Sequence, residues 1–260
     1  MIWEKVSLTL KRVLSFLGCS SRFETVCYKG VNLPAQHLRF GGKHYRQDEA
    51  FFNSACYEAQ RLVRHCGLKL ESRVLEIGCG RGRLPIGILS TVGDIARYSA
   101  VDVHKASIEW CNRYINMEHP AFTFAHIDVA NPRYNKAGGQ RQAELQLPFS
   151  ALSFDIIYLF SVFSHLTTED IEAYCREFQR LLHPAGKIFL TAFVEENVPD
   201  MTVNPKNYRG GGWKGPLHCV RYSREFIERI YAKYGFVIDE FSYGSEADGQ
   251  SEYYLSKAKK

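Results

Sequence analysis

The feature that most constrains this chain is a rhythm that begins near residue 73 and runs almost to the end. Short apolar runs fall at 73–77, 98–101, 122–127, 154–160, 187–194, 236–243 and 252–257. Helical patterns fall between most of them, at 84–91, 105–115, 168–182 and 223–234. A helix that returns the chain between two strands leaves those strands parallel, and such a sheet is covered on both faces. The last two runs are separated only by the turn-rich stretch 244–249. A hairpin joins antiparallel neighbours, so the final strand runs against the others. The expectation is an α/β fold with a mostly parallel sheet, and ligands in such sheets bind at the carboxyl ends of the strands.

What precedes the rhythm is different in kind. A helical pattern spans 48–66, and 19–46 reads as irregular, broken by Gly30, Pro34, Gly41 and Gly42. Over 1–17, Ile2, Trp3, Val6, Leu10, Val13, Leu14 and Leu17 recur at helical spacing, with Glu4, Lys5, Lys11 and Arg12 on the other face. This amphipathic helix either docks on the protein or lies on a membrane, with Trp3 and Phe16 at the headgroups and its basic groups toward anionic lipid. Periodicity leaves both open. The chain divides into an extension, 1–47, and a domain, 48–260. Lys11 and Arg12 interrupt the apolar run and no small-residue cleavage site follows, which argues against a signal peptide.

Composition narrows the class. Lys+Arg 33 against Asp+Glu 28 leaves a surplus of only +5, spread along the chain, so no nucleic-acid partner is expected. No apolar run approaches the ~18–20 residues of a spanning helix. The eight cysteines form no Cys-x-x-Cys pair and no cluster with histidine, so they read as free thiols in a reducing cytoplasm rather than a zinc or redox site.

The chemistry-bearing motif follows the first strand directly: Glu76-Ile77-Gly78-Cys79-Gly80-Arg81-Gly82. Glycine at every second position lets the backbone turn tightly and a ligand approach closely. The following helix offers free N–H groups. A dinucleotide fingerprint would need glycine where Arg83 stands, and no Gly-Lys-Ser/Thr of a P-loop is present. The next two strands each end in a carboxylate, Asp102 and Asp128. The first can accept both hydroxyls of a ribose and the second the amino group of an adenine.

These residues resemble the first three motifs of the class I S-adenosylmethionine-dependent methyltransferases, of the bacterial small-molecule and glycan type. Phe154-Asp155-Ile156-Ile157-Tyr158-Leu159-Phe160-Ser161 resembles the fourth. The stretch 181–187, Leu-Leu-His-Pro-Ala-Gly-Lys, resembles the helix-to-strand turn before the fifth strand. The resemblance implies a Rossmann-like three-layer sandwich with a seven-stranded sheet of order 3-2-1-4-5-7-6, strand seven antiparallel. It implies S-adenosylmethionine as cofactor. Gly78, Gly80 and Gly82 would pass its methionine part and Asp102 would hold the ribose. Asp128 with Val129 would frame the adenine, and Ser161 would line the same site. Glu76 would order the loop or reach the cofactor's amino group through water.

For the reaction, the stretch after the fourth strand is the place to look. It lacks the Asn/Asp-Pro-Pro-aromatic of amine methyltransferases, the cysteine of RNA cytosine enzymes and the metal-binding acid of catechol enzymes, so no metal is expected. His165 is the candidate general base, against a structural histidine that closes the pocket. Gly41, Gly42 and Tyr45 are candidates for a flap over the cofactor. The connection 195–222 far exceeds the 2–6 residues such a link needs. Its Tyr208, Trp213, His218 and Tyr222 are the candidate acceptor-binding residues, and a second insertion, 131–148, is a candidate opposite wall. The acceptor so read is a hydroxyl on a small molecule, a sugar or a lipid-linked glycan. The rivals are a protein or RNA methyltransferase and a non-catalytic cofactor-binding protein. Localisation reads as cytoplasmic, with the membrane surface as an alternative through residues 1–17.

Overall fold

The computed structural model describes residues 24–139 and 145–259. The amphipathic pattern over 1–17 and Arg141 lie outside the described residues. The stretch read as irregular is not so throughout: β1 (Thr25–Tyr28) and β2 (Val31–Pro34) form an antiparallel hairpin. Its turn, Lys29-Gly30, has φ of 49° and 80°, the left-handed pair that matches the twist of the flanking strands. Gly30 thus folds the segment rather than merely interrupting it. Leu33 is fully buried and the Trp110 indole N–H donates to the Glu24 carbonyl, so the hairpin packs on the domain. Helix α1 (Asp48–Cys66) begins with Asp48 and Glu49, ends with Arg64 and His65, and stops at Gly67, whose φ is 70°. Charges of those signs at those ends suit the helix dipole.

The sheet then builds in the expected order. The elements are β3 (Arg73–Ile77), α2 (Arg83–Thr91), β4 (Arg97–Asp102), α3 (Lys105–Cys111) running on through a π turn to Asn116, and β5 (Phe122–His126). After them come β6 (Phe154–Leu159), α4 (Thr168–Leu181), β7 (Leu182–Glu195), β8 (Met201–Val203), β9 (Val220–Ser223), α5 (Arg224–Lys233), β10 (Phe236–Ser242) and β11 (Ser251–Lys257). The main path across the sheet is β5-β4-β3-β6-β7-β11-β10, which is 3-2-1-4-5-7-6 in the numbering of the seven expected strands. β11 runs antiparallel to both β7 and β10. Two further strands make the sheet nine-stranded: β9 pairs parallel with the end of β7, and β8 pairs with β9. They come from the insertion read as a loop, because runs as short as Met201–Val203 carry no periodicity and their partners lie far away in sequence.

One local reading changes. The turn expected at 181–187 is a bulge inside β7: Leu182 pairs with Phe154, and the next pair is Lys187 with Ile156. Ser223 stands at the start of α5, but its side chain makes no capping bond. The capping box is instead at α4, where the Thr167 N–H donates to Asp170 Oδ2 at 2.8 Å.

Alternation along the strands explains why both sheet faces are dry. Leu75, Ile77, Ile157, Leu159, Ile188 and Leu190 pack against α4 and α5 through Phe178, Leu181 and Ile227. Val74, Tyr98, Ile156, Tyr158 and Phe189 pack against α1 and α2 through Leu62 and Ile88. α1 and α2 touch at Gly87, where a Cβ would stand 1.9 Å from the Ala55 carbonyl oxygen. The seven described cysteines form no disulfide. No described helix is long and apolar enough to cross a membrane.

Candidate active site

The glycine loop sits at the carboxyl end of β3, and its shape is a backbone property. Gly78, Gly80 and Gly82 have φ of 77°, 51° and 78°, a region that L side chains avoid. Cβ atoms at Gly78 and Gly82 would also meet Val162 Cγ2 at 2.7 Å and Ile115 Cδ1 at 2.6 Å. The loop is pinned by Gly78 N–H to the Val101 carbonyl at 2.8 Å and by Gly80 N–H to Asp102 Oδ2 at 2.7 Å. Arg83, the first residue of α2, donates to Ser54 Oγ at 2.7 Å and lies over the Phe160 ring at 4.3 Å, tying the cradle to α1 and β6. It stands where a dinucleotide fingerprint would have glycine.

Asp102 rises from the end of β4 into this loop. Its second oxygen accepts the His104 N–H at 2.8 Å, and burial raises its pKa. Each carboxylate oxygen keeps a further lone pair at the rim of the cradle. Asp128 is exposed, and it accepts from Asn135 Nδ2 at 3.0 Å and the Gly139 N–H at 3.1 Å. The Asn135 hydrogen bond chiefly holds its pKa below the usual range. Val129 beside it is fully buried in the core, so its side chain supports the rim from beneath.

Glu76 departs from expectation. It is buried under the cradle and takes the hydroxyl of Tyr98, and burial pushes its pKa up to about 8. A carboxyl with that pKa is mostly protonated at neutral pH. Its side chain locks β3 to β4 and does not contact the glycine loop through any described hydrogen bond. The flap residue is also shifted. Tyr45 packs on Gly41, where a Cβ would stand 2.6 Å from its ring, while Phe40 lies over Gly80 and meets His104 edge-on at 5.4 Å. Arg39, its side chain fully buried, anchors this segment to the Pro34 carbonyl at 2.7 Å and to Asp48 at 2.6 Å.

At the end of β6 the chain turns through Ser161, a non-glycine residue at φ 56°. His165 follows on a short 3-10 turn. Its Nδ1 lies 3.0 Å from the Leu217 carbonyl, so Nδ1 carries the hydrogen and Nε2 keeps a free lone pair. Its ring meets Tyr134 edge-on at 5.5 Å. Both insertions therefore converge on His165, one through Leu217 and the other through Tyr134. Burial pulls its pKa down to about 4.

Within the longer insertion, Tyr208 donates to Glu195 at 2.8 Å, and its carbonyl accepts the Trp213 indole N–H at 3.0 Å. Trp213 and His218 pack edge-on at 5.3 Å. The Tyr243 hydroxyl and Arg209 also hold Glu195, so the insertion is clasped to the turn between β10 and β11. Tyr222 is the exception among the candidate acceptor-binding residues. It is fully buried on β9 and donates to the Leu166 carbonyl at 2.5 Å, because strand alternation turns it into the core. No group of three or more metal-ligating side chains that could hold an ion occurs among the described residues.

Residues 74–186 match a family model described as a methyltransferase domain. The fold is similar to that of a geranyl diphosphate methyltransferase in complex with SAM, at 14% identity and a TM-score of 0.57, with 84% of this chain and 92% of that one covered. It is similar to a chain of the Haloferax volcanii complex with the Trm112 methyltransferase activator, at 14% identity and 0.57, with 82% and 93% covered. It is also similar to the [4+2]-cyclase SpnF, at 13% identity and 0.56, with 79% and 82% covered. The last likeness shows that one sheet serves more than one reaction. The likenesses agree on a Rossmann-like sheet, and the matched methyltransferase-domain segment, 74–186, spans the glycine loop and the strand-end carboxylates.

Proposed function

We propose that the protein is an S-adenosylmethionine-dependent methyltransferase whose acceptor is a hydroxyl on a small molecule, a sugar or a lipid-linked glycan. The observation that carries the reading is the cradle: three left-handed glycines with the Asp102 carboxylate bonded to the middle one. An open glycine floor, a carboxylate with spare lone pairs and a neighbouring guanidinium, Arg81, whose buried Nε has no partner, suit an adenosyl amino acid. In this reading Gly78, Gly80 and Gly82 pass the methionine part, Asp102 holds the ribose, and Asp128 with Val129 flanks the adenine.

S-adenosylmethionine supplies a methyl group already activated by a positive sulfur. The chain has to orient the acceptor, exclude water and manage one proton. His165 is the proposed base. Its Nε2 lone pair can accept a hydrogen bond from an acceptor hydroxyl; burial keeps the ring neutral at pH 7 and makes it a weaker base than a free imidazole, so its first task is to orient that hydroxyl. Tyr208, Trp213 and His218 form the proposed acceptor wall. A membrane contact through residues 1–17 would bring a lipid-linked acceptor to the same rim.

The test is transfer of label from S-adenosylmethionine into a fractionated cell lysate. Label is expected in the small-molecule or lipid fraction, and His165→Ala is expected to lower it by about 10²–10⁴-fold. Label in protein or RNA overturns the acceptor. Tight cofactor binding without any transfer supports a non-catalytic protein instead.

A further inference from the structure

A closed polar ring lies at the carboxyl ends of β6 and β7 and the amino end of β11, and it joins Ser161 to two residues not read so far. Thr191 and Gln250 are both fully buried. The Ser161 N–H donates to Thr191 Oγ1 at 2.8 Å, and Thr191 Oγ1 lies 2.9 Å from Gln250 Oε1. Gln250 Nε2 lies 2.9 Å from Ser161 Oγ and 2.7 Å from Asp248 Oδ2.

The direction of each bond in the ring is forced. A backbone N–H only donates, so Thr191 Oγ1 accepts from Ser161 and gives its own hydrogen to Gln250 Oε1. A carboxylate only accepts, so Asp248 independently turns the Gln250 amide nitrogen toward itself and Ser161. Because that nitrogen donates to Ser161 Oγ, the Ser161 hydrogen is left to point out of the ring. It can reach Ser164 Oγ at 3.2 Å or a ligand. The ring also holds Ser161 at φ 56°, a conformation that costs a non-glycine residue free energy. The next residue, Val162, walls the cradle opposite Gly78.

We propose that Thr191 and Gln250 are positioning residues that lock Ser161 so that its hydroxyl is presented as a hydrogen-bond donor to the amino-acid end of the ligand in the cradle. The inference rests on the cofactor reading above. It gives Ser161 a defined role, and it makes the turn between β10 and β11, some ninety residues further on, part of the same site.

The experiment is calorimetric titration of the full chain with S-adenosylhomocysteine, with melting temperatures measured alongside. Thr191→Val removes the hydroxyl at constant shape, and Gln250→Glu replaces the donor facing Ser161 with an acceptor. Each is expected to weaken binding about tenfold, as the loss of one hydrogen bond to a charged group does. Thr191→Ser keeps the hydroxyl and is expected to stay within about threefold of the wild type. Ser161→Ala is expected to weaken binding as much as Thr191→Val, and the double variant no further, because both remove the same donor. Wild-type affinity in both Thr191→Val and Gln250→Glu overturns the inference. So does a loss in Thr191→Ser equal to that in Thr191→Val, or additive losses in the double variant. If Thr191→Val does not fold, Gln250→Glu and Ser161→Ala decide. A wild-type protein that does not bind S-adenosylhomocysteine overturns the cofactor reading itself, an outcome distinct from normal binding in the variants.

Discussion

The glycine cradle and the cluster around His165 are built from different materials. The cradle is backbone: three glycines, two N–H bonds and one carboxylate, all within residues 78–102. The second cluster is mostly side chains from distant segments: His165 with Tyr134 and the Leu217 carbonyl, Tyr208 and Tyr243 on Glu195, and Gln250 on Ser161. A backbone site tolerates no added atoms, and its tolerance does not depend on the partner. A side-chain site can change one member at a time, which suits a sheet on which more than one reaction can be built.

The comparison breaks most visibly where the cradle side is packed tightest. Gly87→Ala would place a methyl group 1.9 Å from the Ala55 carbonyl, so α1 and α2 must separate. The expected loss is more than about 3 kcal/mol, read as a lowered urea midpoint or failure to accumulate folded protein. Near-wild-type stability would mean that the two helices are not rigidly coupled beneath the cradle.

The two sides are expected to respond to pH with opposite signs. His165 has an ordinary pKa of 6.5 and a folded value of about 4. Between those values the unfolded chain binds more protons than the folded one, so its contribution to stability is present above pH 6.5 and is lost as pH falls toward 4. The loss is about 3 kcal/mol at most. Glu76 acts with the opposite sign, since its raised pKa favours the folded state at low pH and that contribution is lost as pH rises through about 8. Subtracting the unfolding curves of His165→Asn from those of the wild type isolates the histidine. A difference that is flat from pH 6.5 to 4 would place His165 in water rather than between the two insertions.

The smallest effect sharpens the cradle. Asp102→Ala should weaken S-adenosylhomocysteine by about 2 kcal/mol, roughly thirtyfold, and should also lower the melting temperature, because the Gly80 and His104 N–H groups lose their acceptor. Unchanged affinity would remove Asp102 from the ribose.

The difference in material also decides what can be read from the chain before it folds. The glycine spacing, the strand-end carboxylates and the closing hairpin are local, and the structure puts each where its neighbours in sequence imply. Glu76 was legible as part of the motif but not as a buried acid, because its partner Tyr98 reaches it across a strand pair. Tyr222 looked like a loop aromatic, because β9 has four residues and takes its register from β7. Phe40, Thr191 and Gln250 carried no signal. A threonine inside an apolar strand and a glutamine after Asp-Gly acquire meaning only when β6, β7 and β11 are side by side. A period-two check of residues 187–194 would have placed Thr191 on a definite face of β7, though not its partner.

The placement of β11 has a consequence in time. The last strand to be synthesised does not join at an edge but slots between β7 and β10, with β7 some sixty residues behind it in the chain. Pairings of such long sequence separation form slowly, because the intervening chain must be ordered first. On the ribosome the cradle half, complete by residue 128, can assemble while the right half of the sheet still lacks its inner strand. The Ser161 ring closes only when Gln250, just ahead of that strand, arrives. The growing chain can therefore complete the glycine cradle well before the ring around Ser161 has its last member, an order set by the sequence of the strands alone.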